Sequence, residues 1–199
     1  MSQLSISGRA IGGQRAAIPS EPSKRQGDLS HTRYPRVTET LFPLRSGPQQ
    51  QRKEGDLLLG RGLTQMATVI ERASRFTVLV QLDGRDMTTV AHALAAKMNT
   101  LPIELRRSLT WDRGMELASH TNVTEWTGLD VYFADPRSPW QRGTNENTNG
   151  LLRQYFPKGV TMAGLTQSDL DVVALKLNTR PRKTLGYRTP ATILEQMLL

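Results

Sequence analysis

The chain has no cysteine, which removes disulfides, thiolate chemistry and any cysteine-ligated zinc or iron–sulfur site. Histidine is scarce too: His31, His92 and His120 are scattered, so a histidine metal cluster is not expected. Any metal should be a hard cation held by carboxylate oxygens. No apolar run approaches the roughly 20 residues of a membrane-spanning helix. The N-terminus also lacks an apolar signal core, so the chain reads as soluble and cytoplasmic, without a membrane partner. There is no internal repeat and no glycine-rich phosphate loop of the dinucleotide or Walker type.

What the chain does have is positive charge. It carries 26 Lys and Arg against 18 Asp and Glu in 199 residues, a net charge of +8, with a pI near 10.3. That length suits one ordinary domain with a tail or small appendage, and the charge favours a polyanionic partner such as nucleic acid or an acidic membrane surface. The excess is uneven. Residues 1–50 carry seven basic side chains against three acids, 51–135 carry ten against eleven, and 136–188 carry nine against three. A balanced centre thus lies between two basic flanks.

Residues 1–52 are rich in Gly, Pro, Ser, Gln and Arg, with apolar residues too scattered to form a stripe, and read as a disordered or weakly structured basic segment. Residues 53–199 read as the folded domain. "GDLLLG", "ATVI" and "FTVLV" predict three strands in an antiparallel meander. "TTVAHALAAKM" places Val90, Leu94 and Met98 at four-residue steps, a helical face. "SLTWDRG" predicts a fourth strand, "MELASHTNVTEWTG" a helix ending at Gly128, and "DVYFAD" a fifth strand stopped by Pro136. Further helices are predicted with "TNENTNG" as the first turn or two, from an N-cap at Ser168, and from Thr189 with Pro190 at the first helical position. A meander followed by alternating helices and strands indicates an α/β fold, a mixed five-stranded sheet covered by helices.

On this map Asp56 lies in the first strand, Asp112 ends the fourth, and Glu146 sits in the first turns of the helix after the fifth. Each has an ordinary alternative: a strand-edge polar residue, a turn aspartate and a solvated helix acid. Three converging carboxylates would repel one another, so such a site normally holds divalent cations. Two Mg²⁺ ions held this way support in-line displacement at phosphorus.

The stretches "EGDLLLG", "IERASRFTVLV", "LTWDRGMELASH", "VYFADPRSPWQRGTNENTNGLLRQYFPKG" and "LNTRPRKTLGYRTPATIL" resemble the catalytic region of transposases of the insertion sequence thirty family. These are DDE enzymes, related to retroviral-type integrases, and the resemblance runs from about residue 54 to the C-terminus. It implies a ribonuclease H-like fold, with Asp56, Asp112 and Glu146 as the catalytic and metal-binding triad. The 33 residues between Asp112 and Glu146 suit the close spacing of that triad. Also implied are Mg²⁺ or Mn²⁺ as cofactor, DNA element ends and target DNA as substrates, and a homo-oligomer on paired ends. Metal-dependent hydrolysis frees a 3′ hydroxyl, which then attacks target DNA, so no Tyr or Ser nucleophile is needed. Arg153, seven residues after Glu146 and close to its helical face, is a candidate phosphate contact. Arg142, Lys158, Arg180, Arg182 and Lys183 join it as candidate DNA-binding cations. Trp140 is expected to pack under the loop, His120 to sit on a helix surface, and Leu151, Leu152 and Tyr155 to be core.

The chain departs from the family at one end. The first aspartate is usually preceded there by a His-Trp pair, where this chain has Arg52 and Lys53. Nothing upstream resembles the family's linker or helix-turn-helix, so N-terminal truncation or alteration is expected. A catalytically silent DNA-binding remnant is therefore the alternative to an active strand-transfer enzyme.

Overall fold

The computed structural model describes residues 52–111, 120–135, 137 and 143–199, so the expectation for residues 1–51 lies outside the described residues. A five-stranded sheet organises the domain: β1 Arg52–Leu59, β2 Gln65–Glu71, β3 Thr77–Gln81, β4 Ser108–Trp111 and β5 Asp130–Phe133. Its spatial order is β3-β2-β1-β4-β5. The first three strands form the antiparallel meander, while β4 adds parallel to β1 and β5 parallel to β4. β1 starts at Arg52, ahead of its apolar run, because Arg52 to Glu54 pair with Ser108 to Thr110.

Side chains alternate across the pleat, so each strand feeds two cores. One face carries Ala67, Val69, Val78, Val80, Leu109, Trp111, Val131 and Phe133, which meet Val90, Ala91, Leu94 and Met98 of α1 (Met87–Asn99) and Val123 of α2 (His120–Thr127). The other carries Leu58, Met66 and Leu79, packed with Leu152, Leu170, Ala174 and Leu177 of α3 (Gly143–Leu152) and α4 (Gln167–Asn178). The helical face expected at Val90, Leu94 and Met98 is fully buried. Leu152 is core, with Leu151 and Tyr155 partly buried against it.

Two helix starts show local chemistry at work. α5 (Pro190–Leu198) begins as expected, with Thr189 accepting from the Thr192 amide and Pro190 in the first turn. α4 begins two residues earlier than expected: Thr166, not Ser168, is its N-cap, in a reciprocal box with Asp169. Ser168 had an equivalent acid in Asp171, but that carboxylate is taken by Lys97 Nζ at 2.7 Å and Gln167 Nε2 at 2.9 Å. α4 also covers the sheet edge. Asn178 exchanges two hydrogen bonds of 2.8 Å with the Thr77 backbone, and Gln167 bonds Gln81 N and Leu79 O, both at 2.9 Å. Side-chain amides thereby satisfy backbone groups that an edge strand would leave open.

Candidate active site

Alternation puts Glu54, Asp56 and Leu58 on the sheet face that receives α3. The opposite face of β1 explains why glycine separates the two acids. A Cβ on Gly55 would stand 2.2 Å from Trp111 Cε3, so the indole lies where any other side chain would be. Trp111 is 1% exposed and ends the described part of β4. Asp112, the next residue, lies outside the described residues, as do Arg142 and Trp140.

α3 lies along β1 with the same chain direction, in a repeating register. Asn145 N donates to Glu54 Oε2 at 2.9 Å, and Asn149 Nδ2 donates to Asp56 Oδ2 at 3.1 Å. Leu152 shares a core with Leu58, and Arg153 Nη1 donates to Leu59 O at 3.0 Å. The match has a geometric basis. Two residues of strand advance about 6.6 Å, and four residues of helix advance about 6 Å. The step from Glu54 to Asp56 along β1 therefore meets the step from Asn145 to Asn149 along α3.

This register accounts for the helix's unusual composition. Thr144, Asn145 and Thr148 are buried, although polar residues of this type are poor helix formers. The sheet beneath them is polar too. Thr68 Oγ1 lies 3.0 Å from Asn145 Oδ1, and Arg75 Nη1 donates to Thr144 Oγ1. Thr148 Oγ1 bonds back to Thr144 O at 3.0 Å. Glu54 is fully buried and pairs with Arg72 Nε at 2.9 Å. Burial pushes the Glu54 carboxyl up, opposed by the Asn145 amide and by Arg72.

Asp56 is half-buried, and its Oδ1 accepts from Leu57 N at 2.9 Å. Glu146 is exposed in the first turn of α3, one residue beyond the anchored Asn145. It precedes Asn149 by three residues, which makes the two neighbours on the helix surface. Among the described residues the buried Oδ1 of Asn149 has no hydrogen-bond partner, while the other end of that amide holds Asp56. An unsatisfied amide oxygen beside a carboxylate is a hard-donor arrangement that fits an oxygen-seeking cation such as Mg²⁺. Among the described residues no three His, Asp or Glu side chains come together as a metal cluster.

The candidate cations divide into two kinds. Lys158, Arg180 and Lys183 are exposed. Arg153 instead donates to Leu59 O and Phe156 O, pinning the end of α3 to the end of β1. Arg182 is half-buried and donates to Leu177 O at 3.2 Å; burial first, then the charge of Arg180, lowers its pKa. His120 is half-buried and packs edge-on against Phe133, with ring centroids 5.1 Å apart. Residue-by-residue reading of the sequence missed Glu54, Arg72, Arg75, Asn145 and Asn149. Two signals could have found three of them: Glu54 stands two residues before Asp56 on one strand, and Asn145 and Asn149 are four apart on one helix.

No helix of the described residues is long and apolar enough to cross a membrane. No protein-family model matches the chain. The chain is 58% identical over 143 residues to the transposase InsI of insertion sequence element IS30A from Escherichia coli (strain K12), covering 72% of this chain and 37% of that protein. It is 43% identical over 169 residues to the transposase of insertion sequence element IS1086 from Cupriavidus metallidurans, covering 84% of this chain and 48% of the relative. The chain thus spans between a third and a half of the length of these relatives. In fold it resembles the catalytic core domain of BIV integrase, with a TM-score of 0.55 and 16% identity over 73% of this chain and 94% of that one. A chain of the simian T-cell lymphotropic virus intasome gives a TM-score of 0.57 and 16% identity, over 72% of this chain and 54% of that one. The close homologues of this chain are therefore transposases of the IS30 family, and its own mixed five-stranded sheet has the fold of retroviral integrase catalytic cores.

Proposed function

We propose that this domain cuts and joins DNA strands with divalent cations held by Asp56, Asp112 and Glu146. The observation that carries the reading is the register of α3 on β1, which sets the helix bearing Glu146 against the strand bearing Asp56 through the Asn149–Asp56 hydrogen bond. The parallel pairing of β1 with β4 is the second support, because Asp112 follows directly on Trp111.

The protein's part is positioning. Leu57 N and Asn149 Nδ2 each hold one oxygen of Asp56, which fixes the carboxylate plane. Asn149 leaves its own oxygen available as a further hard donor. Glu146 stays exposed, so DNA has access to it. Bound Mg²⁺ or Mn²⁺ would supply an activated water or 3′ hydroxyl and would neutralise the oxygen leaving phosphorus. Lys158, Arg180 and Lys183 offer phosphate contacts that add affinity without reading sequence. The relatives are transposases, so element ends and target DNA are the proposed substrates, and paired ends call for a homo-oligomer.

The test is strand nicking and end joining by the purified chain with Mn²⁺ and labelled duplex DNA. Activity in the wild type that disappears in Asp56→Asn and Glu146→Gln is the expected result. Activity that survives Glu146→Gln refutes the site. DNA binding without nicking in either metal would favour the silent DNA-binding remnant instead.

A further inference from the structure

α3 begins at Gly143. Gln141 and Arg142 precede Gly143, and neither is a residue type that caps helices well. An amide in its first turn is satisfied from across the fold. Asn145 N donates to Glu54, a carboxylate with 0% exposure that stands 91 residues earlier in the chain. A carboxyl oxygen at a helix start answers an amide that the helix itself leaves unpaired.

Glu54 is held in turn. Arg72 Nε meets its other oxygen at 2.9 Å. Arg75, which adopts a left-handed φ of 63° between β2 and β3, reaches over to Thr144. Thr68 of β2 meets Asn145. β1, β2 and the β2–β3 turn therefore converge on two consecutive residues of α3, and the next residue is Glu146.

We propose that Glu54 is a positioning residue for the site, seating the first turn of α3 so that Glu146 is held at a set offset from Asp56. The reasoning is geometric. Glu54 and Asp56 share one face of β1, two residues apart, and Asn145 and Asn149 share one face of α3, four residues apart. Leu152 and Arg153 hold the far end of α3 and Asn149 its middle, and the Glu54–Asn145 bond ties the first turn directly to β1, fixing its offset along the strand. Glu54 touches neither substrate nor reacting atoms and acts through the helix. The part concerning Glu146 as a metal ligand rests on the function proposed above; the seating of α3 does not.

The experiment compares the full chain with Glu54→Ala, Glu54→Gln, Arg75→Gln and Glu146→Gln in three measurements: hydrogen exchange of α3 amides, Mn²⁺ binding without DNA by calorimetry, and nicking kinetics. Losing this buried hydrogen bond should speed exchange of the Asn145 amide and its neighbours by about tenfold in Glu54→Ala. The β1 and β4 amides should keep their protection. Mn²⁺ affinity should fall and kcat should fall, while KM for DNA holds. Glu54→Gln retains an acceptor oxygen and should recover part of both. Should Glu54→Ala fail to fold, Glu54→Gln and Arg75→Gln carry the comparison with smaller changes in the same direction. A folded Glu54→Ala whose α3 amides exchange at the wild-type rate overturns the proposal. So does one with faster exchange but unchanged Mn²⁺ affinity and kcat, because the seating would then not matter to the site. Unchanged Mn²⁺ affinity in Glu146→Gln sinks the metal-site reading instead, and the exchange data then decide the seating by themselves.

Discussion

Lys53 gives the sharpest quantitative expectation. It occupies the place where the family usually has the Trp of a His-Trp pair, and its burial fits an apolar residue better than a lysine. Only 3% of it is exposed, and among the described residues its ammonium has no hydrogen-bond partner. Around it lie Val69, Phe76, Val78, Leu101, Leu105 and Leu194, with Glu71 the one charged neighbour in the cavity. Burial dominates over the attraction of Glu71 and lowers the pKa from 10.5 to about 8. That difference corresponds to about 3 kcal/mol. The unfolded chain takes up this proton near pH 10.5 and the folded chain only near pH 8. Stability attributable to Lys53 therefore falls as pH drops between those values and stays low at neutral pH. Lys53→Met keeps the volume and removes the ionisation. In urea unfolding the variant should gain about 3 kcal/mol over the wild type at pH 7, and about 1 kcal/mol of that ionisation benefit should remain at pH 10. Other groups titrate in that range but cancel in the difference between the two proteins. An advantage that does not change with pH, or no advantage at all, would refute the burial of a charged ammonium here.

Two further outcomes follow from the site. Gly55→Ala places a methyl where the Trp111 indole lies, so thermal unfolding should show a loss of about 1–3 kcal/mol; an unchanged midpoint would mean that β4 does not pack on β1 as described. DNA affinity should fall steeply with salt, and alanine at Lys158, Arg180 or Lys183 should each flatten the log–log slope by about 0.9 where that cation meets a phosphate. Slopes unaffected by all three would remove them from the interface.

Much of the scaffold was legible in sequence because its signals are local. Val90, Leu94 and Met98 announce a helix by spacing, and Thr189-Pro190 announces a start, since caps and periodicity depend on residues within a turn or two. Where two local signals competed, sequence could not choose: Thr166 and Ser168 each have an acid three residues on, and in the fold Asp169 caps with Thr166 while Asp171 pairs with Lys97, over seventy residues away in the chain. Asp56 and Glu146 were legible as candidates through the family's motif. Glu54 was not, because a glutamate two residues before an aspartate looks the same whether it faces water or a helix start.

The sequence by itself determined the strands and helices, the surplus of positive charge and the oddity of a helix beginning Gly-Thr-Asn-Glu-Asn-Thr-Asn-Gly. Only the tertiary structure decided where those residues sit and what they touch. The Glu54–Asn145 and Asp56–Asn149 bonds join positions 91 and 93 residues apart. They exist because the advance of a strand over two residues nearly equals that of a helix over four, and because β1, central in the sheet, offers α3 a polar face to match. The burial of Lys53 is of the same kind: the charge is written in the sequence, but its cost depends on apolar side chains that only folding brings around it.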